Sequence, residues 1–179
     1  DTLQLAWQDA ERAPMNLEPI QLQALWDMLA EDACYESAWQ PARLRCELPA
    51  TCWVQGNLNH LAQAVENLLR NAIRHSPGDG VITLGGRREG SYWRIWLEDQ
   101  GGGVAEDDLE RIFAPFSRLD GSRPGDGGFG LGLSIARGAI QRQGGTLWAE
   151  NGKRGLRLCM RLPAHVEASE SAPAQLLYS

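Results

Sequence analysis

Residues 57–75 read NLNHLAQAVENLLRNAIRH and predict a long amphipathic helix that begins after the N-cap residue Asn57. At about 100° per residue, the apolar side chains fall on one side, and that side must face a sheet. The opposite side presents Asn67, Asn71 and Arg74 within about 60° of one another. Carboxamide oxygens suit Mg²⁺, and a guanidinium suits phosphate oxygens. A solvated polar helix face has the same pattern, so the helix alone leaves both interpretations open.

A carboxylate follows the strand that is predicted over residues 92–98. Apolar side chains alternate onto one side of this strand from Trp93 to Leu97, and Asp99 continues that side towards the core. A buried carboxylate needs a hydrogen-bond donor, and the exocyclic amine of a purine would serve. The glycines that follow, residues 101–103, let backbone approach a flat ligand closely. An aspartate that only caps a tight turn is the alternative.

A second glycine-rich segment, GDGGFGLGLS at residues 125–134, opens a helix that is predicted from about Gly130 to Gln143. Glycines at the beginning of a helix expose N–H groups to an anion. No Gly-Lys-Ser/Thr occurs here, so the segment is not a P-loop. The stretch from Leu119 to Gly128 is predicted to be a mobile loop. Two aromatics, Phe113 and Phe116, come just before this loop and either anchor it to the core or contact a ligand.

The remaining segments alternate between helical and strand-like patterns. A helical period begins at Ile20 and is stopped by Pro41, and residues 106–112 suggest a short helix. Strands are predicted over 44–48, 52–55, 81–84, 92–98, 146–150 and 156–162. This order predicts an α/β fold, a two-layer sandwich in which helices cover one face of a mixed sheet.

Composition excludes several classes of protein. The 179 residues carry a formal net charge of −6 and no basic run, which argues against a nucleic-acid clamp. No apolar stretch approaches the roughly 20 residues that span a bilayer. The four cysteines form no CxxC pair and have no paired histidines beside them, so a zinc site is not expected. Because the sequence begins mid-pattern without Met, we expect an excised piece of a longer protein.

Four segments together resemble the catalytic ATP-binding domain of bacterial sensor histidine kinases. Residues 67–76, NLLRNAIRHS, resemble the asparagine box of that family. The other three motifs are Asp99-x-Gly101-x-Gly103 for the first glycine box, Phe113-x-x-Phe116 for the phenylalanine box, and Gly128-x-Gly130-Leu131-Gly132-Leu133 for the second glycine box. The resemblance covers roughly residues 20–162. It implies the Bergerat fold shared with gyrase, the Hsp90 chaperones and MutL, with a flexible ATP lid.

The resemblance also implies ATP and Mg²⁺ as cofactors and a role for each motif. Asn71 would coordinate Mg²⁺, while Asn67 would contact phosphate or lie just outside the metal's own ligands. Asp99 would accept a hydrogen bond from the adenine amino group. Asn67, Arg74 and Arg118 form the implied catalytic set, with Arg118 near the γ-phosphate. The other implied nucleotide contacts are Arg74, His75, Gly101, Gly103, Phe113, Phe116, Gly128, Phe129, Gly130, Leu131, Gly132 and Leu133.

Three departures from the family pattern accompany the resemblance. His75 stands where tyrosine is frequent, which puts its contact with the nucleotide in doubt. Phe129 replaces a small hydroxyl residue, so one hydrogen bond to phosphate is expected to be lost. The phosphoacceptor histidine is absent, because His60, His75 and His165 all lack its sequence context. Three regions follow: residues 1–19 as the end of a dimerisation helix and a linker, 20–163 as the catalytic domain, and 164–179 as a poorly ordered tail.

Partners and location are likewise implied by the resemblance. The partners would be a dimerisation and phosphoacceptor hairpin of the same protein, and the aspartate of a response regulator. The full-length protein would be a homodimer anchored in the inner membrane, with this part in the cytoplasm. The fragment itself would bind neither membrane nor nucleic acid.

Two other functions remain open. A gyrase- or Hsp90-like ATPase would place a water-activating glutamate one turn before the Mg²⁺-binding asparagine. Asn67 occupies that position and is a poor base, while Glu66 points about 100° away. A non-catalytic module that senses nucleotide is the second alternative, since His75 and Phe129 are compatible with weak binding.

Overall fold

The computed structural model of the chain describes residues 15–115 and 132–166. The described part contains seven strands and three α-helices, together with 3₁₀ turns at 41–43, 106–108 and 111–113. In chain order the elements are β1 (Glu18–Gln21), α1 (Leu22–Ser37), β2 (Leu44–Cys46), β3 (Trp53–Gly56), α2 (Leu58–His75), β4 (Ile82–Glu89), β5 (Tyr92–Glu98), α3 (Gly132–Arg142), β6 (Thr146–Asn151) and β7 (Leu156–Pro163). Predictions for residues 1–14, 116–131 and 167–179 lie outside the described residues.

Two sheets form in the described part of the chain. The larger has five strands in the order β2-β4-β5-β7-β6 and is mixed, because β2 runs parallel to β4 while every other pair is antiparallel. The smaller sheet pairs β1 with β3. Val54 of β3 also forms a single antiparallel β-bridge with Ala164, the residue that follows β7. The order of strands and helices confirms the predicted two-layer α/β sandwich.

The helices bury their apolar sides against one face of the larger sheet. Helix α2 begins after Asn57, whose side-chain oxygen accepts a hydrogen bond from the backbone N–H of His60 at 3.0 Å. The buried residues of α2 are Leu61, Ala64, Val65, Leu68, Leu69 and Ala72. Those of β5 that share the same core are Trp93, Ile95 and Leu97. The predicted division of α2 into an apolar and a polar side is therefore confirmed.

Two local predictions were wrong. The helical period from Ile20 was placed too early, because Ile20 and Gln21 pair with β3 and the helix begins at Leu22. The strand predicted over 81–84 instead continues to Glu89, so Gly85 and Gly86 lie within β4 rather than in the hairpin turn. Both glycines are required for packing, since a Cβ at Gly85 would lie 2.7 Å from Trp96 Nε1 and one at Gly86 would lie 2.7 Å from Leu48 Cδ2.

We expect substitutions at two glycines to change stability in opposite directions. Gly85→Ala should lower the free energy of unfolding by about 1–3 kcal/mol, because the Trp96 ring must move as a rigid unit. Gly138→Ala is the matched control within α3, where nothing lies within 4 Å of the new Cβ. It should raise the free energy of unfolding by about 0.5–1 kcal/mol through better helix propensity. Urea unfolding followed by circular dichroism measures both, and equal effects would contradict this packing.

Candidate functional site

Asp99 is the one buried carboxylate in the described part of the chain, with 3% of the residue exposed. Its Oδ1 accepts hydrogen bonds from the backbone N–H of Gly101 at 2.9 Å and of Leu156 at 3.1 Å. Its own N–H donates to the carbonyl of Leu156 at 3.1 Å. Both side-chain bonds end on Oδ1, which leaves Oδ2 as the oxygen that a ligand donor would meet.

Burial dominates the electrostatics of Asp99. It raises the pKa of the carboxyl group above the ordinary range, because desolvation disfavours the charged form. The two backbone N–H bonds and the field of His75 act in the opposite direction, and Glu98 adds a smaller increase. A buried carboxylate that costs stability and keeps one oxygen for a donor is typical of a binding site.

Two glycines of the loop after Asp99 lie too close to their neighbours to carry a side chain. A Cβ at Gly101 would collide with the carbonyl oxygen of His75, the last residue of α2. Gly103 adopts a left-handed φ of +78°, and a Cβ there would collide with Oδ1 of Asn151. The contact between Gly101 and His75 brings the carboxyl end of α2 beside Asp99.

The other end of the site is formed where α3 begins. A Cβ at Gly132 would lie 3.9 Å from Oδ1 of Asn67, so the first residue of α3 faces the amide of Asn67 on α2. A helix N-terminus carries free N–H groups and a partial positive charge that favour anions. Asn67 and Asn71 are half-buried, and Arg74 is exposed at the end of α2. The polar row therefore runs from the N-terminus of α3 to the glycine loop beside Asp99.

The length of this row sets the size of a ligand. Asn67 and His75 are eight residues apart, which corresponds to a rise of about 12 Å along the helix. A span of this length fits one extended molecule that has a hydrogen-bond donor at the Asp99 end and an anionic group at the α3 end. This combination suits a purine nucleotide that carries several phosphates.

Phe113 and Leu133 lie in the core rather than on an open surface. Phe113 is 4% exposed, and the guanidinium of Arg137 stacks 4.2 Å from the centre of its ring. Arg137 also holds the carboxylate of Glu110 at 2.5 and 3.1 Å and donates to the carbonyl of Leu147 at 3.2 Å. This packing supports the interpretation of Phe113 as an anchor. Outside the described residues lie Phe116, Arg118, Gly128, Phe129, Gly130 and Leu131.

No group of three His, Cys, Asp or Glu side chains that could hold a metal occurs among residues 15–115 and 132–166. The donor set on α2 is instead the two amides Asn67 and Asn71. Mg²⁺ is commonly bound through one or two protein oxygens together with water and substrate phosphates. The residues present therefore fit a magnesium ion that arrives with a nucleotide better than one held by the protein alone.

The sequence analysis missed the contribution of the β6–β7 turn. A Cβ at Gly155 would collide with Oδ1 of Asp99 and lie 2.5 Å from the backbone oxygen of Asp99. The next residue, Leu156, provides one of the two N–H donors to the Asp99 carboxylate. Asn151 at the other end of the turn holds the backbone of Val104. The flanking strands were predicted over 146–150 and 156–162, but nothing local in the sequence indicates that the turn between them contacts Asp99, which lies more than 50 residues away.

The charge on Asp99 should lower stability as the pH rises. A raised pKa in the folded state gives stability that is present below the unfolded-state pKa and is lost as the pH rises through the folded-state value. Asp99→Asn keeps the Oδ1 acceptor without the charge. We therefore expect the melting temperature of the variant to exceed that of the wild type by an amount that grows between pH 4 and pH 7.

Differential scanning calorimetry of the two proteins across this pH range measures the difference. Asp79→Asn, in the exposed turn after α2, controls for the loss of one negative charge. A difference that shrinks as the pH rises would contradict the account of the buried carboxylate.

Comparison with known proteins gives three findings. A profile of the "Histidine kinase-, DNA gyrase B-, and HSP90-like ATPase" family matches residues 56–166. The chain is 60% identical over 164 residues to the sensor protein PfeS of Pseudomonas aeruginosa, which covers 92% of this chain and 36% of that protein. It is 36% identical over 151 residues to the sensor histidine kinase CpxA of Escherichia coli, which covers 83% of this chain and 33% of that protein. The chain thus spans about a third of the length of these relatives.

Solved structures show the same fold. The ATP-binding domain of PrrB from Mycobacterium tuberculosis aligns with a TM-score of 0.63 at 27% identity, over 84% of this chain and 98% of that chain. The mycobacterial sensor histidine kinase MprB aligns with a TM-score of 0.70 at 24% identity, over 85% and 100%. Among the described residues, no helix is both long enough and apolar enough to cross a bilayer.

Proposed function

Because the chain belongs to the histidine kinase-, DNA gyrase B- and HSP90-like ATPase family, we propose that it is the ATP-binding catalytic domain of a two-component sensor histidine kinase. One observation carries the proposal. The buried Asp99 lies at one end of the polar row of α2, through the contact of Gly101 with His75, and the N-terminus of α3 lies at the other, through the contact of Gly132 with Asn67.

Each end of the site would recognise a different part of ATP. Oδ2 of Asp99 accepts a hydrogen bond from the 6-amino group of adenine, which GTP lacks. Gly101 and Gly103 allow backbone to lie against the ring, and His75 borders it. Asn67 and the N-terminus of α3, at Gly132, would hold the terminal phosphates, and Arg74, seven residues further along α2, would contact phosphate nearer the base. Asn71 ligates Mg²⁺, which neutralises phosphate charge when it is bound.

Some proposed contacts lie outside the described residues. Arg118 would approach the γ-phosphate. The remaining predicted contacts in this part are Phe116, Gly128, Phe129, Gly130 and Leu131. Phe113 and Leu133 act indirectly, because they fix the ends of this segment to the core.

The reaction is transfer of the γ-phosphoryl group to a histidine outside this chain. A P–N bond forms to the imidazole, the bond from the γ-phosphorus to the β–γ bridging oxygen breaks, and ADP leaves. This domain would contribute positioning and charge neutralisation rather than an acid or base. The acceptor histidine would lie in the dimerisation hairpin of the same protein, and a response-regulator aspartate would receive the phosphoryl group next. The whole protein would be a membrane-anchored homodimer with this domain in the cytoplasm.

An ATP-hydrolysing role is disfavoured by the position of Glu66. Its carboxylate forms an ion pair with Arg70 at 2.8 Å, and Arg70 also reaches Glu36 of α1 at 3.4 Å. Glu66 thus lies on the side of α2 that faces α1, not on the row that carries Asn67 and Asn71. Within the described residues, no carboxylate of α2 is placed to activate a water beside that row.

Titration with ATP tests the proposed site. The wild-type chain should bind ATP more tightly with Mg²⁺ than with EDTA by isothermal titration calorimetry. Asn71→Ala should lose about tenfold or more of the affinity in Mg²⁺, because a metal ligand is removed. Asn59→Ala removes an exposed amide elsewhere on α2 and should keep wild-type affinity. Equal affinity of the Asn71 and Asn59 variants would contradict the assignment of the metal ligand.

An assay that follows the labelled γ-phosphoryl group of ATP distinguishes the three candidate functions. The chain is mixed with the upstream helices of the full-length protein and ATP labelled at the γ-phosphate. An acid-labile label on those helices, with little free phosphate from the chain alone, is the result expected of a kinase. Rapid release of phosphate by the chain alone would favour the hydrolase. ATP binding without either reaction would favour a nucleotide-sensing module.

A further inference from the structure

We propose that Asn151 is a positioning residue for recognition of the adenine amino group, because it ties the loop that follows Asp99 to the β6–β7 turn. This inference rests on the proposed nucleotide site. It concerns a side chain that would not itself touch the nucleotide.

Asn151 satisfies both backbone groups of one residue in that loop. Its Oδ1 accepts from the N–H of Val104 at 3.0 Å, and its Nδ2 donates to the carbonyl of Val104 at 2.7 Å. A side-chain amide that pairs with a backbone in this way replaces the contacts that a neighbouring strand would make. The loop is therefore held at Val104 by one side chain.

The contacts of Asn151 complete a closed ring of interactions around the carboxylate. Asn151 is the last residue of β6 and pairs with Leu156 of β7. Leu156 donates to Oδ1 of Asp99 and accepts from the N–H of Asp99. Gly101 donates to the same Oδ1 from the loop that Asn151 holds at Val104. The two N–H groups that donate to Asp99 thus come from two segments of the chain. Asn151 fixes the distance between these two segments.

The loop and the turn that Asn151 connects are tightly packed at two glycines. Gly103 has no room for a Cβ because Oδ1 of Asn151 occupies that space, and Gly155 has none because Asp99 does. The turn is closed by a hydrogen bond of 2.8 Å from the N–H of Gly152 to the carbonyl of Gly155. Loss of the Asn151 amide would release the loop from this turn and let Gly101 move away from Asp99. The orientation of Oδ2 depends on that donor.

The position of Asn151 distinguishes a role in recognition of the base from a general contribution to the stability of the fold. Asn151 is exposed, so its hydrogen bonds to Val104 contribute modestly to global stability. It lies beside the base end of the site, whereas the phosphate end is formed by Asn67 of α2 and the N-terminus of α3. Its removal should therefore change how the base is recognised and leave the phosphate contacts intact.

The test compares ATP with purine riboside triphosphate, which lacks the 6-amino group. The ratio of the two dissociation constants measures recognition of that group, and it does not change if a variant is partly unfolded. The wild type should prefer ATP by at least about tenfold, since a hydrogen bond to a charged acceptor is lost with the analogue. In Asn151→Ala this preference should fall by about fivefold or more, while affinity for the analogue changes little.

Two further variants complete the design. Asn151→Ser keeps a short polar side chain that cannot reach both groups of Val104, so its preference should be intermediate; it carries the test if the alanine variant does not fold. Asn59→Ala is the control and should keep the wild-type ratio. A wild-type ratio in a folded Asn151→Ala, or in Asn151→Ser, would overturn the inference.

The outcomes also distinguish this inference from the proposed function. If the wild type binds neither nucleotide, the proposed function fails and the inference fails with it. If the wild type binds both equally, nucleotide binding stands but recognition of the amino group by Asp99, and hence the role of Asn151, is overturned.

Discussion

The need to bury one carboxylate and still satisfy it governs the arrangement of this site. Asp99 is almost fully excluded from solvent, and an unpaired charge in that position would be strongly destabilising. Its partners are backbone N–H groups from two separate segments, the glycine loop and the β6–β7 turn. Backbone donors cannot be replaced by mutation of a side chain, and they can approach only where glycine leaves space. The carboxylate therefore dictates where Gly101 and Gly155 must lie.

Helix α2 connects the hydrophobic core to the proposed nucleotide site. Leu68 and Leu69 on one side are buried in the hydrophobic core, so the helix cannot rotate without exposing them. The same constraint fixes the direction of Asn67 and Asn71 on the other side. A site built on such a helix is positioned by the whole hydrophobic core, which gives the amides a precision that a loop would not provide.

The glycines of the site act through close approach rather than through flexibility. Gly101 lies against the end of α2, Gly103 against Asn151 and Gly155 against Asp99. Each marks a place where two backbone segments meet without room for a side chain. The Asp99 end of the site is thus assembled from three segments in contact: the end of α2, the loop after β5 and the turn after β6.

Periodicity in the sequence predicted the helices, most strands and the two-layer architecture, because it reports which side of each element is buried. The same periodicity placed Asp99 towards the core at the end of β5, and Asn67, Asn71 and Arg74 together on one side of α2. The predicted end of β4 was wrong, because glycines such as Gly85 and Gly86 are typical of turns. Only the packing of Trp96 against Gly85 shows why glycine is needed within this strand. Chain folding alone brought Asn151 to Val104 and Leu156 to Asp99. Hydrogen bonds across more than 45 residues depend on how the strands pair, and a strand's own residues do not encode which neighbour it will have.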